Sequence, residues 1–315
     1  MEFTGIVLNQ VIIMFLLMIT GYILIRGKVI TEEVIRGLCG FLLKIAIPCS
    51  IVVAFLRPYS PEKTNQLVFS FILAIVFHAF AILISNLLFK KEPTGQYKIK
   101  RLGAVYSNCA FMGFPLLAAM FGDDGIFLGS AYIAVFNILI WIHGVKTLNE
   151  DKKIGLVRIL FNPGCIAIAI GLINYFFQIP YPNTIQETVR LLGSMSTPMA
   201  MIVIGGFFTA VPLKGIFKEI NILYVSLLRI LILPVLFLIP LVIFGVSNLI
   251  QNGNTAVLVV MVAAACPVAA TVVLLPESME IDASQGSKML VVSTLLSILT
   301  LPLITYITYT FLLII

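Results

Sequence analysis

The chain alternates between long apolar runs and short polar segments, a pattern typical of helices that cross a lipid bilayer. A spanning helix needs roughly 20 predominantly apolar residues, and runs of about that length recur along the chain. We therefore predict an all-α polytopic membrane protein with ten transmembrane helices. Their approximate expected bounds are residues 6–25, 34–55, 66–89, 102–121, 126–144, 159–177, 184–208, 217–244, 256–275 and 283–313.

The fourth apolar run is interrupted between Asn108 and Pro115. Pro115 has no backbone N–H, and its ring clashes with the carbonyl four residues earlier. Gly113 has no side chain to shield the neighbouring backbone groups. Asn108 places a polar amide within an apolar segment, where an unsatisfied hydrogen-bonding group is costly. Broken helices form the substrate sites of many secondary transporters. A proline-kinked packing helix is the alternative, and this segment alone does not decide between the two.

Pairs of prolines indicate an internal repeat. The separation between Pro48 in helix 2 and Pro115 in helix 4 nearly equals that between Pro198 in helix 7 and Pro267 in helix 9. Helices 1–5 (residues 1–150) would then match helices 6–10 (residues 151–315). Because each half has an odd number of spans, the second half must be inserted upside down. Inverted repeats with paired broken helices are typical of alternating access at the repeat interface.

Loop charges predict the orientation of the chain. The loops after helices 1, 3, 5, 7 and 9 hold most of the 20 Lys and Arg residues, whereas the opposite loops hold Arg57, Lys63 and Arg190. Short cytoplasmic loops carry such a basic excess. We therefore expect a multi-pass protein of the plasma membrane with both termini outside.

Composition narrows the range of functions. The chain is 60% hydrophobic and 11% charged, which leaves no room for a separate soluble domain. Its net charge of +6 lies mostly in short loops, so we expect membrane lipid and not nucleic acid as a partner. The five cysteines show no metal-ligand spacing, and we expect no metal or cofactor. The 14 acidic residues lie in loops or at span ends, and the sequence shows no catalytic motif. We therefore do not expect the protein to be an enzyme.

The two predicted breaks supply the first candidate substrate-binding residues. Asn108 offers an amide to a substrate carboxylate beside the break, or alternatively caps the broken backbone. Gly113, Pro115 and Pro267 expose backbone groups there that can bind an ion or an anion. For the two prolines an architectural role is favoured over direct contact with substrate.

Two further candidates lie in helices 2 and 5. A cation within the membrane is expensive, so Lys44 in helix 2 is a functional candidate that would attract an anion. Snorkelling of its ammonium group toward the interface is the alternative. Asn137 in helix 5 either faces the site or hydrogen-bonds another helix.

Three residues are candidates for coupling or gating. His78 in helix 3 titrates near neutral pH when unperturbed, although a hydrogen-bonded packing role is favoured. Arg229 in helix 8 is expected to pair with carbonyl ends of the broken helices. Thr271 supplies a side-chain oxygen next to the helix 9 break, where the other oxygen ligands available to a cation are backbone carbonyls.

The ordered motifs resemble the auxin efflux carrier family, which includes the plant PIN proteins and many microbial carriers. The resemblance covers nearly the whole chain and rests on Asn108-Cys-Ala-Phe-Met-Gly-Phe-Pro115, Met120-Phe-Gly122, Asn137–Trp141, Asn162-Pro163, Pro198-Met-Ala-Met, Gly205-Gly206, Arg229, Pro234, Pro267, Ser293-Thr-Leu and Leu301-Pro302. It implies a scaffold of helices 1, 2, 6 and 7 and a transport domain of helices 3–5 and 8–10, with helices 4 and 9 crossing at their breaks. The short loop between helices 5 and 6 resembles that of microbial members.

The sequence therefore predicts a secondary transporter of a small organic anion, such as a carboxylate. A homodimer through the scaffold helices is a further expectation. The alternatives are a sodium-coupled symporter of the bile-acid type and a membrane receptor that binds its ligand without moving it.

Overall fold

The computed structural model describes residues 2–151 and 161–314, and the described part is helical without a named strand. The predicted start of helix 6 at residue 159 lies outside it. The helices are α1 (Glu2–Arg26), α2 (Glu32–Phe55), α3 (Pro61–Leu88), α4a (Gln96–Val105), α4b (Cys109–Phe121), α5 (Asp123–Leu148), α6 (Pro163–Phe177), α7 (Asn183–Ala210), α8 (Ile220–Ile243), α9a (Gly253–Ala265), α9b (Thr271–Glu277) and α10 (Ser284–Ile314).

Seven of these helices are long and apolar enough to cross a membrane: α1, α2, α3, α5, α7, α8 and α10. Helices α4b, α6 and α9a are apolar but shorter. The all-α class and the multi-pass character predicted from the sequence are thus confirmed, while the ten-span repeat stays a prediction.

Several helices begin earlier than their apolar runs. Helix α3 starts at Pro61 and not near residue 66, because Ser60 caps it and accepts a 3.4 Å bond from the Lys63 backbone N–H. Proline at the first helical position removes an N–H that would have no partner there anyway. Helix α4a likewise includes a polar first turn that begins at Gln96. Hydrophobicity alone misses the first turn of α3 because a cap, not burial, stabilises it.

Wider π-helical turns accompany three prolines within the helices. The turns Leu42–Ala46, Cys109–Gly113 and Leu228–Ile232 each end two residues before a proline, at Pro48, Pro115 and Pro234. A proline ring clashes with the carbonyl four residues earlier, and a wider turn moves that carbonyl away. The chain therefore continues as a helix past these prolines. Lys44, Asn108 and Arg229 all lie in or directly before one of these turns.

The two broken helices meet at their breaks. The Asn108 backbone N–H donates to the Pro267 carbonyl at 2.7 Å, and the Ala269 N–H donates to the Tyr106 carbonyl at 3.0 Å. Ser107 and Val268 form the isolated antiparallel bridge between them. Backbone groups freed by the breaks are therefore satisfied by the opposite break, as burial requires.

Packing around the breaks is tight. Every residue of α9a from Ala256 to Ala265 is buried, which matches its run of valine and alanine. Helix α5 packs closely on α4b at Gly125, where an added Cβ atom would lie 2.2 Å from the Leu117 carbonyl oxygen. The GxxxG spacing of Gly125 and Gly129 thus marks close helix packing. The core of the molecule surrounds the paired breaks.

Candidate functional site

A cavity of about 360 Å³ opens beside the paired breaks. Five elements contribute to its wall: α2, the α4 break with the start of α4b, α5, the start of α6, and α9b with the residues on either side of it. Its lining residues are Leu43, Lys44, Ile47, Ser107, Asn108, Ala110, Phe111, Ile133, Phe136, Asn137, Ile140, Trp141, Asn162, Pro163, Gly164, Ala269, Ala270, Thr271, Leu274, Leu275 and Ser278. The predicted residues Lys44, Asn108, Asn137 and Thr271 are thereby brought together.

Asn108 supplies an unpaired amide to this cavity. Its backbone is engaged on both sides, since its N–H bonds Pro267 and its carbonyl accepts from Met112 N–H at 3.0 Å. Its side chain makes no capping bond to α4b, so the alternative role as a helix cap is not what the structure shows. The side-chain Nδ2 is buried and has no hydrogen-bond partner among the described residues. A buried donor without a partner is costly, which indicates that an occupant of the cavity would satisfy it.

Asn137 reaches the cavity from α5 and contacts α6. A Cβ atom added at Gly164 would lie only 2.4 Å from Asn137 Nδ2, so glycine is required for this close approach. Asn162 begins α6 by accepting a 2.9 Å bond from the Gly164 N–H, and Pro163 takes the first helical position. No hydrogen bond or ion pair is recorded for Asn137 within residues 2–151 and 161–314, so the inter-helix bond considered above is not observed there.

Among the described residues, Lys44 is the single charged one in the cavity wall. Its side chain is exposed, and it forms no ion pair with any carboxylate that the structure describes. A cation without a counterion attracts anions to the wall beside it. The electrostatics of the wall thus favours a negatively charged occupant.

Apolar and aromatic side chains make up most of the remaining wall. Phe111, Phe136 and Trp141 contribute rings from α4b and α5. The hydroxyl of Thr271 is buried without a recorded partner in the described part of the chain. A small number of polar groups in a mainly apolar pocket is the usual composition of a small-molecule site. The arrangement fits a compact molecule with an apolar body and one anionic end.

Gly113, Pro115 and Pro267 do not line the cavity. An added Cβ at Gly113 would lie 3.4 Å from Cys266 Sγ, so this glycine lets α4b pack against the second break. Pro115 and Pro267 are buried, and the Pro267 carbonyl accepts the bond from Asn108. These residues shape the breaks, and direct contact with substrate would require a rearrangement of the wall.

Arg229 lies on the other side of the breaks, fully buried. Its guanidinium donates to the carbonyls of Ala104 and Val105 at 3.2 and 3.1 Å and to that of Cys266 at 3.3 Å. It also donates to the Ala264 carbonyl. These are the carbonyl ends of α4a and α9a, the pairing expected from the sequence. Arg229 does not line the cavity.

His78 is also fully buried away from the cavity. Its Nδ1 lies 2.8 Å from the Ala74 carbonyl, while Nε2 has no partner among the described residues. Its ring packs against Tyr132 with a centroid distance of 4.7 Å, and the Tyr132 hydroxyl accepts a 3.2 Å bond from Ser107 at the break. The packing role favoured from the sequence matches this position.

The opposite end of the molecule carries an ion cluster that the sequence did not predict. Asp124 at the start of α5 pairs with Arg57 and, at 2.5 Å, with Lys63. Phe127, one turn further along α5, packs against Phe55 of α2 and Tyr175 of α6. Asp124 thereby ties α5 to the segment after α2 and to the start of α3.

Sequence reasoning also missed several contributors to the cavity. Gly164 follows the Asn162-Pro163 helix start and is explained by its contact with Asn137. Ser107 directly precedes Asn108 and holds Tyr132. The Asn-Pro-Gly triplet was a usable signal, because such a small residue directly after a helix start marks close packing.

Comparison with known proteins shows the family of the chain. Residues 6–156 and 150–305 match the protein family described as Membrane transport protein. An uncharacterized transporter of Methanocaldococcus jannaschii is 24% identical over 311 residues, which cover 94% of this chain and 97% of that protein. An uncharacterized transporter of Methanothermobacter thermautotrophicus is 25% identical over 302 residues, covering 94% of this chain and 96% of that protein.

Proposed function

Because the chain belongs to the membrane transport protein family, that of the auxin efflux carriers, we propose that it transports a small organic anion across the plasma membrane. The observation that carries the proposal is the unpaired Asn108 amide in a cavity where Lys44 is the one charged wall residue within 2–151 and 161–314. A carboxylate would accept a hydrogen bond from Asn108 Nδ2 and would be attracted by the Lys44 ammonium. Charge-assisted hydrogen bonds of this kind are about twice as strong as neutral ones.

Helix packing supports transport by alternating access. Helix α1 packs on α7, and α2 packs on α6 and α7, which is the scaffold group implied by the family resemblance. Helix α3 packs on α5 and α9a, and α10 packs on α8 and α9a, which corresponds to the transport group. The cavity has walls from both groups. We therefore propose that the chain is an inverted five-helix repeat. In this mechanism the transport group moves against the scaffold group.

The cavity's position favours a cytoplasm-facing state. Trp141 near the end of α5, Asn162 at the start of α6 and Ser278 after α9b border loops on the predicted cytoplasmic side. On the predicted outer side, Asp124 pairs with Arg57 and Lys63. In this proposal the outer path is closed by those contacts, with both termini outside and a homodimer formed through the scaffold helices.

Two other functions remain as competing proposals. A sodium-coupled symporter of the bile-acid type would need a cation site, and the oxygen atoms at the α9 break come from the backbone, from Thr271 and from Ser293, whose hydroxyl accepts a 3.0 Å bond from the Val268 N–H. A receptor would bind the anion without moving it.

Purified protein in liposomes tests the proposal directly. A thermal-shift screen of small carboxylates first identifies a binder, with the neutral amide of each acid as its matched control. Counterflow of the labelled binder into preloaded proteoliposomes then measures transport. We expect accumulation that depends on Asn108 and Lys44, whereas binding without counterflow would establish the receptor function instead.

A further inference from the structure

Two helix ends of negative polarity face each other behind the breaks. Helix α4a ends at Val105 and α9a ends at Ala265, so their last carbonyls have no partner within the helix. Aligned peptide dipoles give a helix C-terminus a partial negative charge. Carbonyls at the C-terminal ends of broken helices bind coupling cations in secondary transporters. Such a pair of ends therefore forms a binding site for a cation.

In this protein the cation between the two ends is a side chain. Arg229 donates to four carbonyls, those of Ala104, Val105, Ala264 and Cys266, and so joins the ends of α4a and α9a. The guanidinium also lies 5.4 Å from the centre of the Phe77 ring. Arginine keeps its charge in proteins, so the site holds this cation permanently.

No carboxylate within residues 2–151 and 161–314 forms an ion pair with Arg229. A fully buried charge that lacked compensation would be strongly destabilising. Compensation here comes from the carbonyl dipoles, from the aromatic face of Phe77 and from the Tyr132 hydroxyl, which also hydrogen-bonds Arg229.

We propose that Arg229 is a resident cation that takes the place of a coupling ion, and that removing its side chain opens a binding site for a monovalent cation. Loss of the guanidinium would free its carbonyl oxygens, which are hard ligands of the kind that sodium prefers. These oxygens would then bind sodium. Arg229 acts as a positioning residue, because it contacts the backbone of the breaks and not the cavity. The consequence for transport rests on the proposed function, whereas cation binding does not.

The test compares the thermal unfolding of detergent-purified variants in sodium chloride and in choline chloride of equal ionic strength. Arg229→Ala should unfold several degrees higher in sodium than in choline. It should also be stabilised by guanidinium at concentrations too low to denature, because that ion replaces the missing group. Wild type and Arg229→Lys each retain a tethered cation. The unfolding temperature of each protein should therefore be the same in sodium as in choline.

Phe77→Leu is the matched control for loss of packing. It removes the ring beside the guanidinium but leaves the cation in place, so it should be destabilised equally in every salt. An Arg229→Ala protein that can be recovered with sodium or guanidinium but not with choline supports the proposal. An Arg229→Ala protein that is equally unstable in all three salts, or unrecoverable in all while Arg229→Lys folds, overturns it.

Transport separates this inference from the proposed function. In proteoliposomes, uptake of an anion by Arg229→Ala should become stimulated by an inward sodium gradient, which wild type ignores. If no variant transports any anion but Arg229→Ala is still stabilised by sodium, the cation site stands and the transport proposal fails. If wild type transports and Arg229→Ala shows no response to sodium in either assay, the cation site fails alone.

Discussion

Replacing Asn108 with alanine separates a binding role from a structural one. Asn108 Nδ2 is buried and unpaired in the described structure, so the substitution removes no hydrogen bond from the empty protein. An unsatisfied buried polar group destabilises by about 1–3 kcal/mol, so its removal should compensate for the lost packing. The melting temperature of the empty protein should therefore stay nearly unchanged.

The same substitution should weaken anion binding strongly. A hydrogen bond to a charged group contributes about 1.5–3 kcal/mol, and each 1.4 kcal/mol corresponds to about a tenfold change in affinity. Asn108→Ala should therefore raise the Kd for a carboxylate by about one to two orders of magnitude. Its effect on the neutral amide of the same acid should be smaller. Isothermal titration calorimetry on detergent-purified protein measures both constants.

Asn174→Ala is the matched control for this experiment. Asn174 is buried in α6 outside the cavity lining, and its amide donates to the Phe55 carbonyl at 3.4 Å. Its replacement should lower the melting temperature and leave the Kd unchanged. The opposite pattern for Asn108→Ala, an unchanged Kd with reduced stability, would refute the reasoning and make Asn108 a structural residue.

Three further substitutions test other parts of the account. Lys44→Met should weaken binding of the carboxylate and leave binding of its neutral amide unchanged, as measured by calorimetric titration. Lys146→Met, which lies outside the cavity lining, is the control and should change neither affinity. Equal losses of affinity for acid and amide would show that the Lys44 charge is not the cause. Gly164→Ala should place a methyl group against Asn137 at a cost of about 1–3 kcal/mol and reduce counterflow, and full activity would show that the contact is unimportant. Asp124→Asn should lower stability at low salt by about 1 kcal/mol, because ion pairs that are partly open to solvent contribute little. Asp123→Asn is the control, since Asp123 forms no ion pair with the described residues, and equal melting curves for the two variants would remove the ion cluster from the account.

The helices and their breaks follow largely from local sequence. Apolar runs locate the spans, and Pro267 lies in the second break. The first break lies at Tyr106–Asn108 and not between Asn108 and Pro115 as predicted, because a π-helical turn carries α4b past Pro115. The first turn of α3 was missed because a cap and not apolar residues begins it, and that of α4a because its residues are mostly polar. The π-helical turns before Pro48, Pro115 and Pro234 adjust the helix locally, and hydropathy does not reveal them.

The site was predictable only where a residue is unusual for its surroundings. Lys44, Asn108 and Asn137 are polar residues within apolar runs, and they line one cavity. The contact of Gly164 with Asn137 and the pairing of Asp124 with Arg57 join residues far apart in sequence. Such contacts depend on how helices pack, which a single sequence does not specify. Arg229 was recognised as a partner of carbonyls, but its place between two particular helix ends required the structure.

Flux in proteoliposomes under a potassium diffusion potential set with valinomycin tests the central claim most directly. Without a coupling ion, each transported monoanion moves one charge, and this is worth about 2.3 kcal/mol per 100 mV. An inside-negative potential should therefore drive the carboxylate out, equally with and without a sodium gradient, and Asn108→Ala should reduce the flux. Flux that ignores the potential and rises with an inward sodium gradient would contradict the account and establish a sodium-coupled symporter.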